Sequence, residues 1–442
     1  MPFNSKTHLY FCRKDKDMSI IQPGKKVRLT NGTTATVKKE IGHGGQGTVY
    51  LVNVEGKDMA MKWYYKNPGK AFYKNLSNNV HAGAPASNFI WPLAITEEIG
   101  GTFGYVMEVR PAGYEDMGNF ILAKAKFANV HAQLEACLQI CSAFQKLHIR
   151  GLSYQDINDG NFFINPETGA VLICDNDNVA PDGTSMGILG KAGYMAPEII
   201  EGTKMPDRYT DYFSLAVCLF ILIYMNRPFE GKWSMRYPDN DPATAKRLYG
   251  FESVFIMDPN NVRNRPVEGL HNNVIRRWGI YPSLLQRAFC RTFSSGAIKD
   301  PTKRLMDRQW SNILLQIRSM YTKCPVCGKE TFIDVFEPDS RCIYCKKRTT
   351  PYGTLNVGRF SIPLVSGQPI YACMVSDEDC LGRKIGRTMT RQGMVAIENC
   401  SDTPWTVILP DGQSKIVEKG HGLLATKGFK IRFGQDETGE IK

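Results

Sequence analysis

The chain has 442 residues, 43% of them hydrophobic, and a formal net charge of +12 at pH 7. This length predicts two or three domains, and the hydrophobic content is ample for buried cores. Residues 1–22 form a basic, polar tail without a long apolar segment, which excludes a secretory signal and favours a cytoplasmic protein.

Positive charge is concentrated near the start of the chain. The first 80 residues contain 14 Lys and Arg against 5 Asp and Glu. Such a surface suits phosphate groups, an acidic substrate or an acidic partner, with nucleic acid as a further alternative. A solvated basic face that only aids solubility explains the charge equally well.

Five short motifs follow in a fixed order along the chain. They are a glycine-rich turn at residues 41–49, a strand lysine at Lys62, and the segments 154–161, 173–177 and 195–198. A glycine turn or a loop aspartate by itself is usually structural. Five such motifs in this order are hard to obtain by chance, so together they indicate phosphoryl transfer from ATP.

The motifs resemble those of eukaryotic-type (Hanks-type) Ser/Thr protein kinases. The resemblance implies an α+β, bilobal kinase fold with a small lobe at residues 23–110 and a large lobe at residues 111–323. It also implies ATP and Mg²⁺ as cofactors and protein substrates with Ser or Thr hydroxyls.

The resemblance assigns roles to individual residues. Asp156 would accept the proton of the substrate hydroxyl, and Lys62 would hold the α and β phosphates. Asn161 and Asp175 would hold magnesium, which prefers such hard oxygen ligands. The nucleotide would also contact the glycine-rich turn and the hinge between the lobes, through Gly42, Gly44, Gly47, Val49, Met107, Glu108 and Val109.

Further landmarks lie in the large lobe. The apolar segment 210–225 is shorter than the ~20 residues that span a bilayer, so it predicts the buried central helix of the lobe. By the resemblance, Asp211 at its start would brace the catalytic loop. Arg304 would pair with Glu198 and anchor the activation segment, in which Thr184 is a candidate phosphorylation site together with Ser185.

The catalytic loop and the metal-binding triplet depart from the family pattern. Tyr154-Gln155 replaces His-Arg, so the arginine that reads an activation-segment phosphate is missing. Asn158 replaces a lysine that touches the γ-phosphate, and the triplet after Cys174 reads Asp-Asn-Asp in place of Asp-Phe-Gly. Because the arginine before Asp156 is missing, activation is expected not to need phosphorylation of the activation segment.

The carboxylate partner of Lys62 is also missing from its usual place. The family takes it from a helix after the lysine strand, but residues 63–96 contain no Asp or Glu. Asn75, Asn78 or Asn79 could contribute a hydrogen bond there but no charge. The alternative to an active kinase is therefore a pseudokinase that binds nucleotide and acts as a signalling scaffold.

Lys191 offers one compensation. It stands where the family has a threonine that meets the catalytic loop, and we hypothesise that it supplies the cation missing at Asn158. An exposed loop lysine with no catalytic role is the competing interpretation.

Four of the 13 cysteines form two Cys-x-x-Cys pairs separated by fourteen residues, and they are Cys324, Cys327, Cys342 and Cys345. This spacing predicts a structural zinc ribbon over residues 324–348, in preference to redox pairs or disulfides. Zinc ribbons also occur in nucleic-acid-binding proteins, but the acidic residues between the pairs disfavour contact with phosphates. A role of the ribbon as a connection between domains or as a docking site for another protein is the better interpretation.

After a linker at residues 349–357, short alternating segments separated by turn residues predict a small all-β sandwich over residues 358–442. The order of Arg383, Arg387 and Asn399 faintly resembles a forkhead-associated (FHA) domain, although the family's Ser and His are absent. A β module used for packing or autoregulation is preferred over phosphopeptide binding. The whole chain is similar to bacterial proteins with a kinase, a zinc ribbon and an FHA-like module, and relatives of this architecture can occur with a PP2C-type phosphatase and a von Willebrand factor A protein. No membrane partner is expected.

Overall fold

The computed structural model describes residues 21–187, 190–237, 241–376, 381–391, 393–434 and 437–442. The predicted basic tail therefore lies outside the described residues, except for Ile21 and Gln22.

The small lobe contains one antiparallel sheet of six strands in the order β1-β2-β3-β4-β6-β5. Its strands are β1 (Lys26–Arg28), β2 (Thr34–His43), β3 (Gly47–Val54), β4 (Lys57–Tyr64), β5 (Ala94–Ile95) and β6 (Gly104–Glu108), and its helix is α1 (Lys70–Ala82). Glu55 and Gly56, both with positive φ, close the β3–β4 hairpin in a tight turn. Phe72 and Leu76 pack one face of α1 against the sheet.

The large lobe is mainly helical. Its helices are α2 (Met117–Ile121), α3 (Val130–Ile149), α4 (Pro197–Ile200), α5 (Arg208–Tyr224), α6 (Pro242–Tyr249), α7 (Asn272–Trp278), α8 (Ser283–Thr292), α9 (Ser295–Lys299) and α10 (Asp307–Met320). Five short strands flank the catalytic loop and the segment after Cys174, and they are β7 (Glu115–Asp116), β8 (Leu152–Ser153), β9 (Phe162–Ile164), β10 (Val171–Ile173) and β11 (Ala180–Pro181).

Helix α5 is the centre of this lobe. Asp207 caps its first turn through a capping box with Thr210, and every residue from Thr210 to Tyr224 is buried. Because the helix is apolar all round, it is stable only where neighbours cover it on every side, as the sequence predicts. Among the described residues, no helix has the length and apolarity needed to cross a membrane.

The C-terminal part is rich in strands. Strands β12 (Tyr321–Lys323) and β13 (Glu330–Phe332) pair beside the two Cys-x-x-Cys pairs. Two antiparallel sheets follow, with the orders β15-β14-β23-β22-β19-β20 and β16-β17-β18-β21. Their strands are β14 (Thr354–Val357), β15 (Phe360–Pro363), β16 (Pro369–Tyr371), β17 (Lys384–Arg391), β18 (Met394–Asn399), β19 (Trp405–Ile408), β20 (Ser414–Val417), β21 (Gly422–Leu424), β22 (Lys430–Phe433) and β23 (Thr438–Ile441).

These two sheets agree with the predicted small all-β domain. Its start differs from the expectation, because β14 lies inside residues 349–357 and pairs with both β15 and β23. The expected linker therefore contributes an inner strand of the six-stranded sheet.

Helix α10 joins this β domain to the large lobe. Gln316 exchanges two hydrogen bonds of 2.8 Å with the backbone of Ser361. The buried guanidinium of Arg318 lies 3.8 Å over the ring of Tyr371 and 3.2 Å from the carboxylate of Glu135 in α3. One hydrophobic core continues from the large lobe into both sheets, so the two parts stabilise each other.

Candidate active site

A cavity of about 400 Å³ lies between the two lobes, within the size range of ligand pockets. It is lined by Gly42, His43, Gly44, Gly45, Gln46, Gly47, Val49, Lys62, Asp156, Asp175 and Asn178. The fold therefore brings together most of the predicted nucleotide site from four separate parts of the chain.

The predicted glycines of the turn differ in what they contact. A Cβ on Gly42 or Gly44 would meet no atom within 4 Å, so their lack of a side chain keeps space open beside the cavity. A Cβ on Gly47 would lie 2.1 Å from the carbonyl oxygen of Trp63 in β4. Gly47 is therefore required because two backbones approach closely here. This reason is separate from the predicted contact of Gly47 with phosphate.

The cavity borders an apolar cluster at Val49, which belongs to both. One hydrophobic cluster contains Val49, Ala60, Met107, Val109, Leu172 and Cys174. Such a lining suits a planar, weakly polar base such as adenine. The side chain of Glu108 is exposed and accepts a hydrogen bond from Lys57 at 2.7 Å. Only the backbone of this hinge residue is therefore placed to contact an adenine base.

The Nζ atom of Lys62 is surrounded by acceptors. It lies 2.9 and 3.2 Å from the two carboxylate oxygens of Asp177, 3.5 Å from Asp175 and 3.1 Å from Oε1 of Gln46. Burial by itself would lower the pKa of this lysine, but the two carboxylates outweigh it and raise the pKa above its usual value. Lys62 is therefore a charged cation at neutral pH.

The carboxylate partner of Lys62 comes from a different place than the family pattern indicates. Asp177 supplies it, while Asn75 and Asn79 of α1 donate to the backbone carbonyl of Val179 at 2.7 and 2.8 Å. Asn78 is exposed. The sequence contains a signal for this partner, since an acidic residue stands at position 177 where the family has glycine.

The catalytic loop holds Asp156 with two carboxamides. Asn158 donates to its Oδ1 at 2.8 Å, and Asn161 donates to its Oδ2 at 3.2 Å and to its backbone carbonyl at 2.8 Å. Burial raises the pKa of Asp156. The two bonds fix the carboxylate at the edge of the cavity, and they place Asn161 beside it.

Asp211, at the start of α5, fixes the backbone of this loop. Its carboxylate accepts hydrogen bonds from the backbone N–H groups of Tyr154 and Gln155 at 2.6 and 3.3 Å. On its other side, His148 lies between Asp211 and Asp307, with ring nitrogens 3.1 and 2.7 Å from the two carboxylates. This buried triad was not predicted, because its members are far apart in the sequence.

The triad makes stability depend on pH. Burial opposes the charge on His148, but bonds to Asp211 and Asp307 outweigh it and raise the pKa of His148 from 6.5 to about 9. The stabilisation is present in full below pH 6.5 and is lost as pH rises to about 9, by about 3 kcal/mol in total. Thermal unfolding measured from pH 6 to 10 should show this decline, and His148→Gln should flatten it. An equal decline in the variant would contradict the assignment.

Both ends of the activation segment are fixed by the large lobe. Gln155, which replaces the family's arginine, donates to the carbonyl of Thr184 at 2.9 Å and accepts from the backbone of Met186 at 3.3 Å. These bonds join neutral groups, so they form without a phosphate on the segment. At the other end, Arg304 makes two hydrogen bonds of 2.7 Å to Glu198, and both side chains are buried.

Lys191 contacts a different aspartate of the catalytic loop than Asp156. Its Nζ lies 2.6 Å from Oδ1 of Asp159. A Cβ built on Gly160 would be 3.7 Å from this Nζ and 3.2 Å from Oδ1 of Asn158, so the ammonium lies close to the position where the family's lysine is missing.

The four predicted zinc ligands meet at one point. Their sulfur atoms all lie within 4.8 Å of one another, with 3.8 Å between Cys324 and Cys345 and 3.7 Å between Cys327 and Cys342. Four thiolates at 2.3 Å from a tetrahedral zinc would be about 3.8 Å apart, so the donor set fits this ion. Backbone N–H groups also point at two of the sulfurs, at 3.4 Å.

The ribbon packs against the large lobe. Asp334 accepts hydrogen bonds from the backbone and the hydroxyl of Ser283, at the first turn of α8, at 2.9 and 3.0 Å. Phe332 contacts the rings of Tyr281 and Tyr321. Asp334, one of the acidic residues between the two cysteine pairs, is therefore used in contacts within the chain.

The arginines named for the β domain lie in different settings. Arg387 pairs with Glu398 on the neighbouring strand, and Arg383 is exposed. Asn399 is fully buried and donates to the carbonyls of Thr403 and Val417, both at 2.9 Å. Its carboxamide therefore orders the domain's own loops.

Comparison with known proteins finds similarity in the part of the chain that surrounds the cavity. Residues 35–247 match the protein kinase domain family. The chain is 29% identical over 206 residues to protein kinase C delta type of Mus musculus, covering 44% of this chain and 30% of that protein. It is 27% identical over 203 residues to mitogen-activated protein kinase kinase kinase 7 of Drosophila melanogaster, covering 44% and 29%.

Rhodopsin kinase GRK1 of Rattus norvegicus is a third relative, 27% identical over 221 residues, with 47% of this chain and 32% of that protein covered. The chain thus spans about a third of the length of the curated relatives it matches, and the ribbon and the β domain lie beyond the matched family region. Residues 35–247, which hold Lys62, Asp156 and Asp175, are therefore similar to the domains of known protein kinases.

Proposed function

We propose that the chain is an ATP- and Mg²⁺-dependent kinase that transfers the γ-phosphoryl group to Ser or Thr hydroxyls of protein substrates. The observation that carries this proposal is the convergence of Lys62, Asp156 and Asp175 on one cavity under the glycine-rich turn. Phosphoryl transfer depends mainly on positioning and charge neutralisation, and these residues supply a cation, a base and a metal ligand for it.

Each candidate residue has a separate role in the proposed reaction. Lys62 holds the α and β phosphates, and Asp156 accepts the proton of the acceptor hydroxyl. Asn161 and Asp175 would hold Mg²⁺, which would neutralise phosphate charge. The backbone of Glu108 and Val109 meets the adenine at the hinge.

The alternative is a nucleotide-binding scaffold without transfer activity. It rests on the missing helix carboxylate and on Asn158 in the catalytic loop. The two carboxylates beside Lys62, from Asp177 and Asp175, remove the first of these reasons. The retained base and metal ligands favour transfer.

The test is transfer of radiolabelled γ-phosphate from ATP to the protein itself and to a generic basic protein, with and without magnesium. Label that appears only with magnesium supports the kinase. No label, with ATP still raising the melting temperature, would overturn the proposal in favour of the scaffold.

Lys191 is proposed as the cation that replaces the lysine missing at Asn158. Lys191→Ala is then expected to lower the transfer rate by about 10²-fold, the loss typical of one donor to developing charge. Lys191→Arg keeps the charge and should retain most of the activity. The exposed Lys415, changed to Ala, is the control, and unchanged turnover in Lys191→Ala would refute the role.

We also propose that the four cysteines hold a structural Zn²⁺ and that the β domain is an FHA-like module used for packing or autoregulation. The sulfur separations support the first assignment. The contacts of α10 with the β domain support a packing role. Association with a PP2C-type phosphatase and a von Willebrand factor A protein, in the cytoplasm, rests on similarity of architecture alone.

A further inference from the structure

The carboxylate of Asp177 lies in an unusual setting for a charged group. It is completely buried, and it accepts hydrogen bonds from Nζ of Lys62 at 2.9 Å and from the hydroxyl of Tyr64 at 2.6 Å. A buried carboxylate is tolerated only when it is paired and hydrogen-bonded, and both conditions are met here by residues of β4.

Asp175 and Asp177 differ in exposure although they are two residues apart. The side chain of Asp175 is 44% exposed and lines the cavity, and its nearest oxygen is 3.5 Å from Lys62. The side chain of Asp177 is 0% exposed and lies behind the lysine. Asp175 is thus open to a metal ion, while Asp177 is committed to the lysine.

Helix α1 reaches the same segment by another route. It has no acidic residue, and its buried Asn75 and Asn79 both donate to the carbonyl of Val179, two residues after Asp177. The helix is therefore attached to the main chain that carries Asp177, and its link to Lys62 is indirect.

We propose that Asp177 is the positioning residue of Lys62, replacing the helix carboxylate that this chain lacks. The proposal rests on the proposed function, because it assigns to Lys62 the task of holding the nucleotide phosphates. It follows that the conformation of residues 175–179 sets the position of the lysine, and that α1 acts on the lysine indirectly, through Val179 and through the contact of Phe72 with Tyr64.

The test compares two ligands that share the adenine pocket. Asp177→Asn keeps the shape of the side chain but removes its charge, so affinity for MgATP should fall by at least about tenfold while affinity for adenosine changes less than about twofold. In a Lys62→Ala background the same substitution should add nothing, because the residue acts through the lysine. Asp182→Asn, in the same segment but paired with Arg208 on the surface, should leave both affinities unchanged.

A second measurement does not need nucleotide. Labelling of Lys62 by an amine-reactive reagent, followed by mass spectrometry with Lys57 as the internal reference, should be faster in Asp177→Asn than in the wild type. If that variant fails to fold, Tyr64→Phe removes one bond to Asp177 while all charges stay, and a smaller change in the same direction is expected.

The outcomes separate this proposal from the proposed function. Equal MgATP affinity in wild type and Asp177→Asn, a parallel loss of adenosine binding, or an undiminished effect in the Lys62→Ala background would each overturn the positioning role. A wild type that binds MgATP without transferring phosphate would refute the kinase and leave the positioning role standing. If Lys62 were labelled at the same rate in Asp177→Asn and in the wild type, the positioning role of Asp177 would be refuted, whatever the phosphoryl-transfer activity.

Discussion

Replacement of Asp156 by Asn is expected to reduce phosphoryl transfer by about 10²- to 10⁴-fold, the usual contribution of a general base. Asn keeps only one of the two acceptor oxygens, but Asn158 and Asn161 also donate to the backbone carbonyl of residue 156, so the loop geometry should survive while the proton acceptor is lost. The rate of label transfer from ATP measures the loss. Affinity for MgATP should remain close to that of the wild type, because Asp156 is not assigned to hold phosphates.

Asp402→Asn is a suitable control for this experiment. Its carboxylate is highly exposed in the β domain and pairs only with the surface residue Lys419 among the contacts described. It should transfer phosphate at the wild-type rate. If Asp156→Asn retained more than about a tenth of the activity, the role of the base would be wrong.

Removal of zinc is the second change with a large expected effect. The purified protein should contain one zinc per chain, and chelation or Cys342→Ser should lower the melting temperature by about 5 °C or more, given ~2–4 °C per kcal/mol in a domain of this size. The physical reason is that so short a ribbon cannot bury a core of its own, so metal binding supplies its folding free energy. Loss of the ribbon also removes the contacts of Asp334 with α8 and of Phe332 with Tyr281.

Cys400→Ser provides the comparison, since this cysteine lies in the β domain away from the four sulfurs. It should keep both the zinc and the melting temperature. A sub-stoichiometric zinc content in the wild type, or a chelator that leaves unfolding unchanged, would contradict the structural zinc site.

Most of the candidate site could be predicted from the sequence because its chemistry depends on residue type and local order. A glycine turn, a strand lysine, and an aspartate with an asparagine five residues later are readable without coordinates. The cysteine pairs are readable for the same reason, since each pair closes one half of a tetrahedral site from within four residues. The central helix followed from its length and its continuous apolar character.

The sequence could not assign a partner to Lys62. Residues 63–96, where the family has the carboxylate, contain no acidic residue, and Asp177 reaches the lysine from 115 positions further along the chain. Which acid meets which base across such a separation depends on how the two lobes close. The same holds for His148, whose charge arises only when Asp211 and Asp307 are packed on either side of it.

The sequence by itself therefore predicted where the kinase-like motifs, the candidate base, the candidate metal ligands and the cysteine cluster lie, because each is encoded in a short segment of the chain. Only the tertiary structure decided that Gly47 is needed by strand packing, that β14 belongs to the sheet and that α10 joins the β domain to the large lobe. It also decided that Asp177 neutralises Lys62. These features depend on approaches between distant backbones and on the burial of charge, which no local pattern of residues specifies.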